Sequence, residues 1–332
     1  MNSPKVSVII STYNRAHLLP RAINSVLNQI YQNFELIIVN DASTDKTEEV
    51  VSSFNDKRIT YCRNKKNKGV LGARNAGLDL AKGKYIVFLD DDDELLPDAL
   101  GTVVSQFTKL SPEGVKIIWF DDVDAERKKL SGLGLREEGY ISYRDYLCGK
   151  IRGDHWIVFD KDVFQSNRFD ERLWGNENIL WLKLLRKFRV FYFPKILVKA
   201  YREHGERMSN FRNKAKHIPR IILSKKVLLE EYGEEMKFIC PKTYYGELGL
   251  LGFWQILNGK KLEGRKNLFQ SLRLHFSLKF FGVFLLSFIL TSEQLISCYA
   301  KLSDVKKLFA SLINKFHYLL KRDIKDIKTE TK

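Results

Sequence analysis

Over residues 1–120 the chain switches repeatedly between two hydrophobic periods, and this alternation limits the fold more than any other feature. Apolar runs at 6–10, 34–39, 59–62, 85–89 and 115–120 have strand length and are rich in β-branched or aromatic residues. Between them lie amphipathic stretches: Leu18, Leu19, Ala22, Ile23, Val26 and Leu27 share one helical face, and residues 70–80 and 98–110 behave alike. Ser43-Thr44-Asp45 ahead of residues 46–54 reads as a helix N-cap. Strand–helix–strand alternation at this spacing predicts βαβ units with right-handed crossovers, hence an α/β fold with a mostly parallel sheet covered by helices. Ligands of such sheets bind beyond the carboxyl ends of the strands, so the polar residues after each strand are where chemistry is sought.

Three such segments stand out. Ser11-Thr12-Tyr13-Asn14-Arg15 follows the first strand, Asn40-Asp41-Ala42-Ser43-Thr44-Asp45 the second, and Asp90-Asp91-Asp92-Asp93-Glu94 the fourth. Four consecutive carboxylates repel one another unless a cation or strong hydrogen bonds compensate, and Mg²⁺ or Mn²⁺ prefers oxygen ligands of this kind. The glycine-containing stretch Gly69-Val70-Leu71-Gly72-Ala73-Arg74-Asn75-Ala76-Gly77 opens a helix, but it is neither a P-loop nor G-x-G-x-x-G. Arg74, on its first turn, is placed to reach a phosphate or a nucleobase.

Residues 121–212 mix short strand-like pieces at 156–159 and 190–193 with a helix over 178–187. From about residue 213 the pattern is helical and basic. Residues 213–332 carry net +11 of the chain's +16. A basic face of this kind suits nucleic acid, an anionic membrane surface, or solubility. Residues 280–290 are apolar apart from Gly282 and Ser287, too short a run to span a bilayer, which needs roughly 20 residues. A buried helix or an interfacial one is expected there.

At 332 residues with 44% hydrophobic content, wholesale disorder is excluded. Cys62, Cys148, Cys240 and Cys298 lie far apart without a C-x-x-C pair, which argues against a thiolate zinc site or a disulfide scaffold and fits a reducing compartment. The stretch 6–10 is too short for a signal-peptide core, so a cytoplasmic location is expected.

The strings V-S-V-I-I-S-T-Y-N-R, V-N-D-A-S-T-D, G-A-R-N-A-G and Y-I-V-F-L-D-D-D-D, in this order and spacing, resemble family 2 glycosyltransferases of the GT-A fold, densely over about 4–110 and loosely to about 210. The resemblance implies inverting transfer of a sugar from a nucleotide donor, UDP here, to a saccharide or lipid-linked acceptor in surface polysaccharide biosynthesis, with Mn²⁺ or Mg²⁺. It implies a glycosyltransferase domain over 1–212 (nucleotide-binding half 1–120, acceptor half 121–212), followed by a helical basic region over 213–332. It places Ser11, Thr12, Tyr13, Asp41, Arg74, Asp90 and Asp91 against the nucleotide-sugar and Asp92 on the metal, with His204 of Tyr201-Arg202-Glu203-His204 as a further ligand. Asp154, His155 and Trp156 fall where acceptor-side residues lie.

The general base of an inverting transfer comes in this family from an E-D pair before a helix. Here the stretch reads Gly175-Asn176-Glu177-Asn178, and alignment on Trp181-Leu182-Lys183-Leu184 assigns the base to Glu177, the only carboxylate between Glu171 and Glu203. The alternatives are a catalytically inactive nucleotide-sugar-binding protein of the same fold, and a membrane-surface binding protein whose basic tail does the work. No nucleic-acid-binding module is present in the sequence, and nucleic acid is not an expected partner. The basic tail with its apolar run leads us to expect a peripheral position at the inner face of the cell membrane.

Overall fold

The computed structural model describes residues 5–173, 176–201 and 210–301. Strands and helices follow in the order β1 (Val6–Thr12), α1 (Leu19–Leu27), β2 (Phe34–Asn40), α2 (Thr47–Ser52), β3 (Ile59–Arg63), α3 (Gly69–Leu80), β4 (Tyr85–Asp90), β5 (Glu94–Leu95), α4 (Ala99–Leu110) and β6 (Val115–Asp124). Then come β7 (Lys129–Leu130), β8 (Gly132–Leu133), β9 (Gly139–Tyr140), α5 (Tyr143–Leu147), β10 (Arg152–Gly153), β11 (Trp156–Asp160), α6 (Asn178–Lys187) and β12 (Arg189–Ala200). The rest is helical: α7 (Phe211–Lys216), α8 (Ile218–Ile239), α9 (Pro241–Leu257), α10 (Lys261–Leu274) and α11 (Leu278–Ile289).

The main sheet runs β3-β2-β1-β4-β11-β6-β12-β5. β1 pairs in parallel with β2 and β4, and β2 with β3. β11 enters antiparallel between β4 and β6, which restores β6, and with it the parallel β12, to the direction of β1. The carboxyl ends of β1, β2, β4 and β6 therefore share one rim. The expected mostly parallel, helix-covered α/β sheet is present.

Alternation along β1 assigns its faces. Val8 and Ile10 join Ile23 and Val26 of α1 and Val103 and Phe107 of α4 in one buried core, while Ile9 points to the other face. There α3 lies so close that a Cβ on Gly77 would sit 2.4 Å from Ile9 Cγ2, so only glycine admits this approach. The cap of α2 differs slightly from expectation. Lys46 holds the N-cap position, and Asp45 Oδ1 accepts from the Thr47 amide at 3.1 Å. β12 runs well past the expected 190–193, with register shifts at Phe193/Ile196 and Ile196/Val198 that carry it around Pro194.

Two compact units divide the chain: Met1–Gly205 with Lys226–Tyr244, and Glu206–Lys225 with Tyr245–Lys332. In the second, α9 and α10 touch backbone to backbone, since a Cβ on Gly252 would lie 2.7 Å from the Gly264 carbonyl oxygen. No helix among the described residues is long and apolar enough to cross a membrane.

Candidate active site

The loops after β1 and β2 are stitched together before any ligand is considered. Asn14 N donates to Ser43 Oγ at 2.9 Å, Thr44 N to Asn14 Oδ1 at 2.7 Å, and Ala16 N to Asp45 Oδ2 at 2.9 Å. Asn14 and Ala42 adopt left-handed backbone, φ 54° and 64°, a costly conformation for alanine that the surrounding bonds sustain. Tyr13, 45% exposed, stands on this rim.

Asp41 is buried, and its carboxylate is engaged by the chain itself. Asn64 Nδ2 donates to it at 2.7 Å, Lys68 N at 3.0 Å and Gly69 N at 2.8 Å. It therefore ties the end of β2 to the start of α3; Arg74 lies one turn further on, on the second turn and not the expected first.

The acidic run divides by direction. Asp91 turns inward, where Thr12 Oγ1 donates to it at 2.6 Å and Arg15 Nη1 at 2.5 Å. Burial pushes the Asp91 carboxyl up to about 6, against the opposing pull of Arg15 and Thr12. Arg15 Nη2 also reaches Asp92 Oδ2 at 2.8 Å, so one guanidinium bridges two of the four aspartates. Asp90, Asp92 and Asp93 converge instead, each offering a carboxylate oxygen within 4.8 Å of the others. Burial first, and then Asp90 and Asp92, hold Asp93 well above the usual carboxylate range. Ser11 pairs across β1 and β4 with Asp90, beside this cluster.

Carboxylates crowded in this way suit a hard divalent cation, because a positive charge removes the repulsion that burial magnifies. The donor set fits Mg²⁺ or Mn²⁺. Asp93 is a member that the motif reading did not single out.

Arg74 joins the cluster to the second half of the sheet unit. Its Nη1 donates to Glu177 Oε1 at 2.8 Å and its Nη2 to Asp90 Oδ1 at 3.0 Å. The guanidinium also lies against the Phe88 and Phe169 rings, 5.3 and 5.8 Å from their centroids. Burial opposes its charge, yet the Glu177 and Asp90 carboxylates outweigh that and leave its pKa raised. Glu177 occupies the N-cap position of α6 with its side chain 24% exposed. Next to it, Tyr146 Oη donates to Asn178 Oδ1 at 2.8 Å.

Tyr201, to which the Tyr201-Arg202-Glu203-His204 element gives no role of its own in the sequence, also joins this site. Its backbone N–H donates to Asp93 Oδ1 at 3.1 Å, its hydroxyl donates to Glu94 Oε2 at 2.7 Å, and the Arg21 guanidinium lies 3.6 Å over its ring. His204 lies outside the described residues.

The acceptor-side candidates separate. Asp154 is exposed, whereas the His155 side chain is 2% exposed and packs against Trp119 with ring centroids 5.4 Å apart. Burial pushes the His155 pKa down, against the opposing pull of Asp121 and Asp154. Trp156 is a core residue and not the acceptor-side contact expected. Its Nε1–H donates to Phe88 O at 3.0 Å and its ring packs on Phe120, because alternation along β11 turns it inward with Val158.

Residues 7–165 match the family described as Glycosyl transferase family 2. An uncharacterized glycosyltransferase of Rickettsia typhi is 33% identical over 215 residues, covering 63% of this chain and 67% of the relative. The GalNAc(5)-diNAcBac-PP-undecaprenol β-1,3-glucosyltransferase of Campylobacter jejuni is 39% identical over 199 residues. That match covers 58% of this chain and 63% of the relative, so the chain spans less than two thirds of it. The structure of S. aureus TarS residues 1–349 in complex with UDP-GlcNAc superposes with a TM-score of 0.57 at 17% identity, covering 81% of this chain and 89% of TarS 1–349, which shows a shared fold. The chain belongs to glycosyltransferase family 2.

Proposed function

We propose that the chain transfers a hexose, glucose being the first candidate, with inversion from a UDP-sugar to a lipid-linked saccharide during surface polysaccharide assembly. The observation that carries this reading is the rim constellation itself: a carboxylate cluster suited to a divalent cation, tied through Arg74 to the carboxylate assigned as base. The names of the relatives support the substrate class, since the Campylobacter protein is a glucosyltransferase acting on an undecaprenol-linked saccharide.

In this reading Tyr13 stacks on the base, with Ser11 and Thr12 alongside the nucleoside. Asp90, Asp92 and Asp93 hold Mn²⁺ or Mg²⁺. When bound, such a cation supplies neutralisation of the charge that develops on the departing diphosphate. Thr12 and Arg15 fix Asp91 and Asp92, so the acidic turn is organised before substrate arrives. Glu177 accepts the proton of the acceptor hydroxyl as its oxygen attacks the anomeric carbon from the face opposite the leaving group. Asp154 lies on the acceptor side, and the protein works at the cytoplasmic face of a membrane.

The test is transfer from UDP-glucose and a panel of other nucleotide-sugars to a polyprenyl-diphosphate-linked saccharide with Mn²⁺, the product's anomeric configuration being read by NMR. A β-linked product from an α-linked donor supports the reading. Donor binding without hydrolysis or transfer under every condition would overturn it in favour of a sugar-nucleotide-binding role.

A further inference from the structure

Helix α11, L-K-F-F-G-V-F-L-L-S-F-I, carries a single charge, Lys279 in its first turn, and is otherwise apolar or small on every side, as helices enclosed by protein or lipid are. Among the described residues, the chain covers only one side. Phe280, Val283 and Ser287 are buried, while Leu278, Phe281, Leu285, Phe288 and Ile289 form an exposed stripe on the other side. Ile289 is 81% exposed and Leu278 77%.

The exposed surface continues onto α10. Phe269, 54% exposed, meets Phe284 with ring centroids 6.3 Å apart, and Phe284 meets Phe288 at 5.4 Å. Phe276, between the two helices, lies 5.8 Å from Phe281. Cations border the apolar surface. The Arg265 guanidinium lies 3.9 Å over the Phe288 ring, and Lys266 and Arg273 share the exposed stripe of α10 with Phe269. Residues 261–290 hold five Lys/Arg and a single carboxylate, Glu263, which accepts from Gln255 Nε2 at 3.0 Å.

A contiguous exposed apolar surface of this kind marks an interaction site. Twelve helical residues span about 18 Å, well short of the roughly 30 Å hydrocarbon core, so α11 cannot cross a bilayer. Aromatic rings bordered by cations match the boundary between acyl chains and anionic headgroups. A second copy would bring the same cations against each other, an unfavourable pairing.

We propose that α10 and α11 form a lipid-docking face that seats on an anionic bilayer, Phe281, Leu285 and Phe288 entering the acyl boundary and Arg265, Lys266 and Arg273 meeting the headgroups. The proposal rests on the reading of a lipid-linked acceptor, which gives such docking its use.

Flotation of the full chain tests it, with vesicles of phosphatidylcholine alone or enriched in phosphatidylglycerol, at low and high salt. The wild type floats with the anionic vesicles at low salt and less at high salt. Lys266→Ala with Arg273→Ala lowers partitioning about thirtyfold, each cation contributing about fivefold. Phe281→Ser with Leu285→Ser lowers it by more than about tenfold. All four side chains are exposed, so both variants keep the wild-type circular dichroism spectrum and melting temperature.

A wild type that stays at the bottom of the gradient at low salt overturns the proposal, as do both variants floating like the wild type. A dimer that dissociates in both variants, with no flotation, assigns the face to a second copy and overturns it too. Transfer to a water-soluble acceptor, assayed alongside, separates the two readings. Transfer without flotation removes the docking face alone, and flotation without transfer removes the proposed reaction alone.

Discussion

The Arg74 guanidinium holds the Glu177 carboxylate at 2.8 Å while its other nitrogen reaches Asp90 at 3.0 Å, so one side chain spans the proposed base and the proposed metal cluster. A lysine offers one compact charge and cannot pair with both in this planar fashion. Arg74→Ala is expected to lower kcat about 10²-fold, the scale for a misplaced reacting group. Arg74→Lys is expected to recover only part of that. Steady-state kinetics decide, and a lysine variant at the wild-type rate would contradict the bridging role.

Asp92 is the test of the cation site. Asp92→Asn is expected to abolish Mn²⁺ binding in a calorimetric titration and reduce transfer to background. The fold should remain intact, because one charge leaves a crowded cluster. Undiminished transfer in EDTA, or full activity of the variant, would remove the metal from the account.

The separation of the four aspartates was only partly legible in the sequence. The run Asp90–Asp93 announced an acidic strand end, but the partner that turns Asp91 inward, Arg15, lies 76 residues earlier. Hydrophobic period carries no trace of such a pairing. The same holds for Arg74 and Glu177, which are 103 residues apart. Period did predict the strands and helices before residue 120, apart from the two-residue β5, and the apolar helix after residue 278, where burial repeats regularly. It failed along β12, where Pro194 and the neighbouring register shifts break alternation. Motif position puts Trp156 on the acceptor side, although the strand's pleat turns the ring into the core.

Asp91 also sets a pH dependence of stability. Its folded pKa of about 6 lies above the 3.8 of an ordinary aspartate, so the native state binds this proton more tightly than the unfolded chain. The contribution is fully present below pH 4 and is lost as pH rises through 6, a difference of about 3 kcal/mol. Urea denaturation of the EDTA-treated protein at pH 5 and pH 7 should show this slope, and Asp91→Asn should reduce it, leaving what the raised Asp93 carboxyl contributes. An equal slope in the variant would mean that another group titrates.

The approach of α3 to β1 offers a purely structural check. In Gly77→Val the new Cβ would meet Ile9 Cγ2 at 2.4 Å, and overpacking of this kind costs about 1–3 kcal/mol. A melting temperature equal to that of the wild type would show that α3 can move away from the sheet.

The central claim is that Glu177 takes the acceptor's proton, and Glu177→Gln tests it with the least change in shape. Single-turnover transfer and donor affinity should be measured together on the same preparation. The account predicts a loss of about 10²-fold or more in transfer, typical of removing a general base, with donor affinity close to that of the wild type. Wild-type transfer by Glu177→Gln, with Asp154→Asn inactive, would contradict it and move the base to the acceptor side.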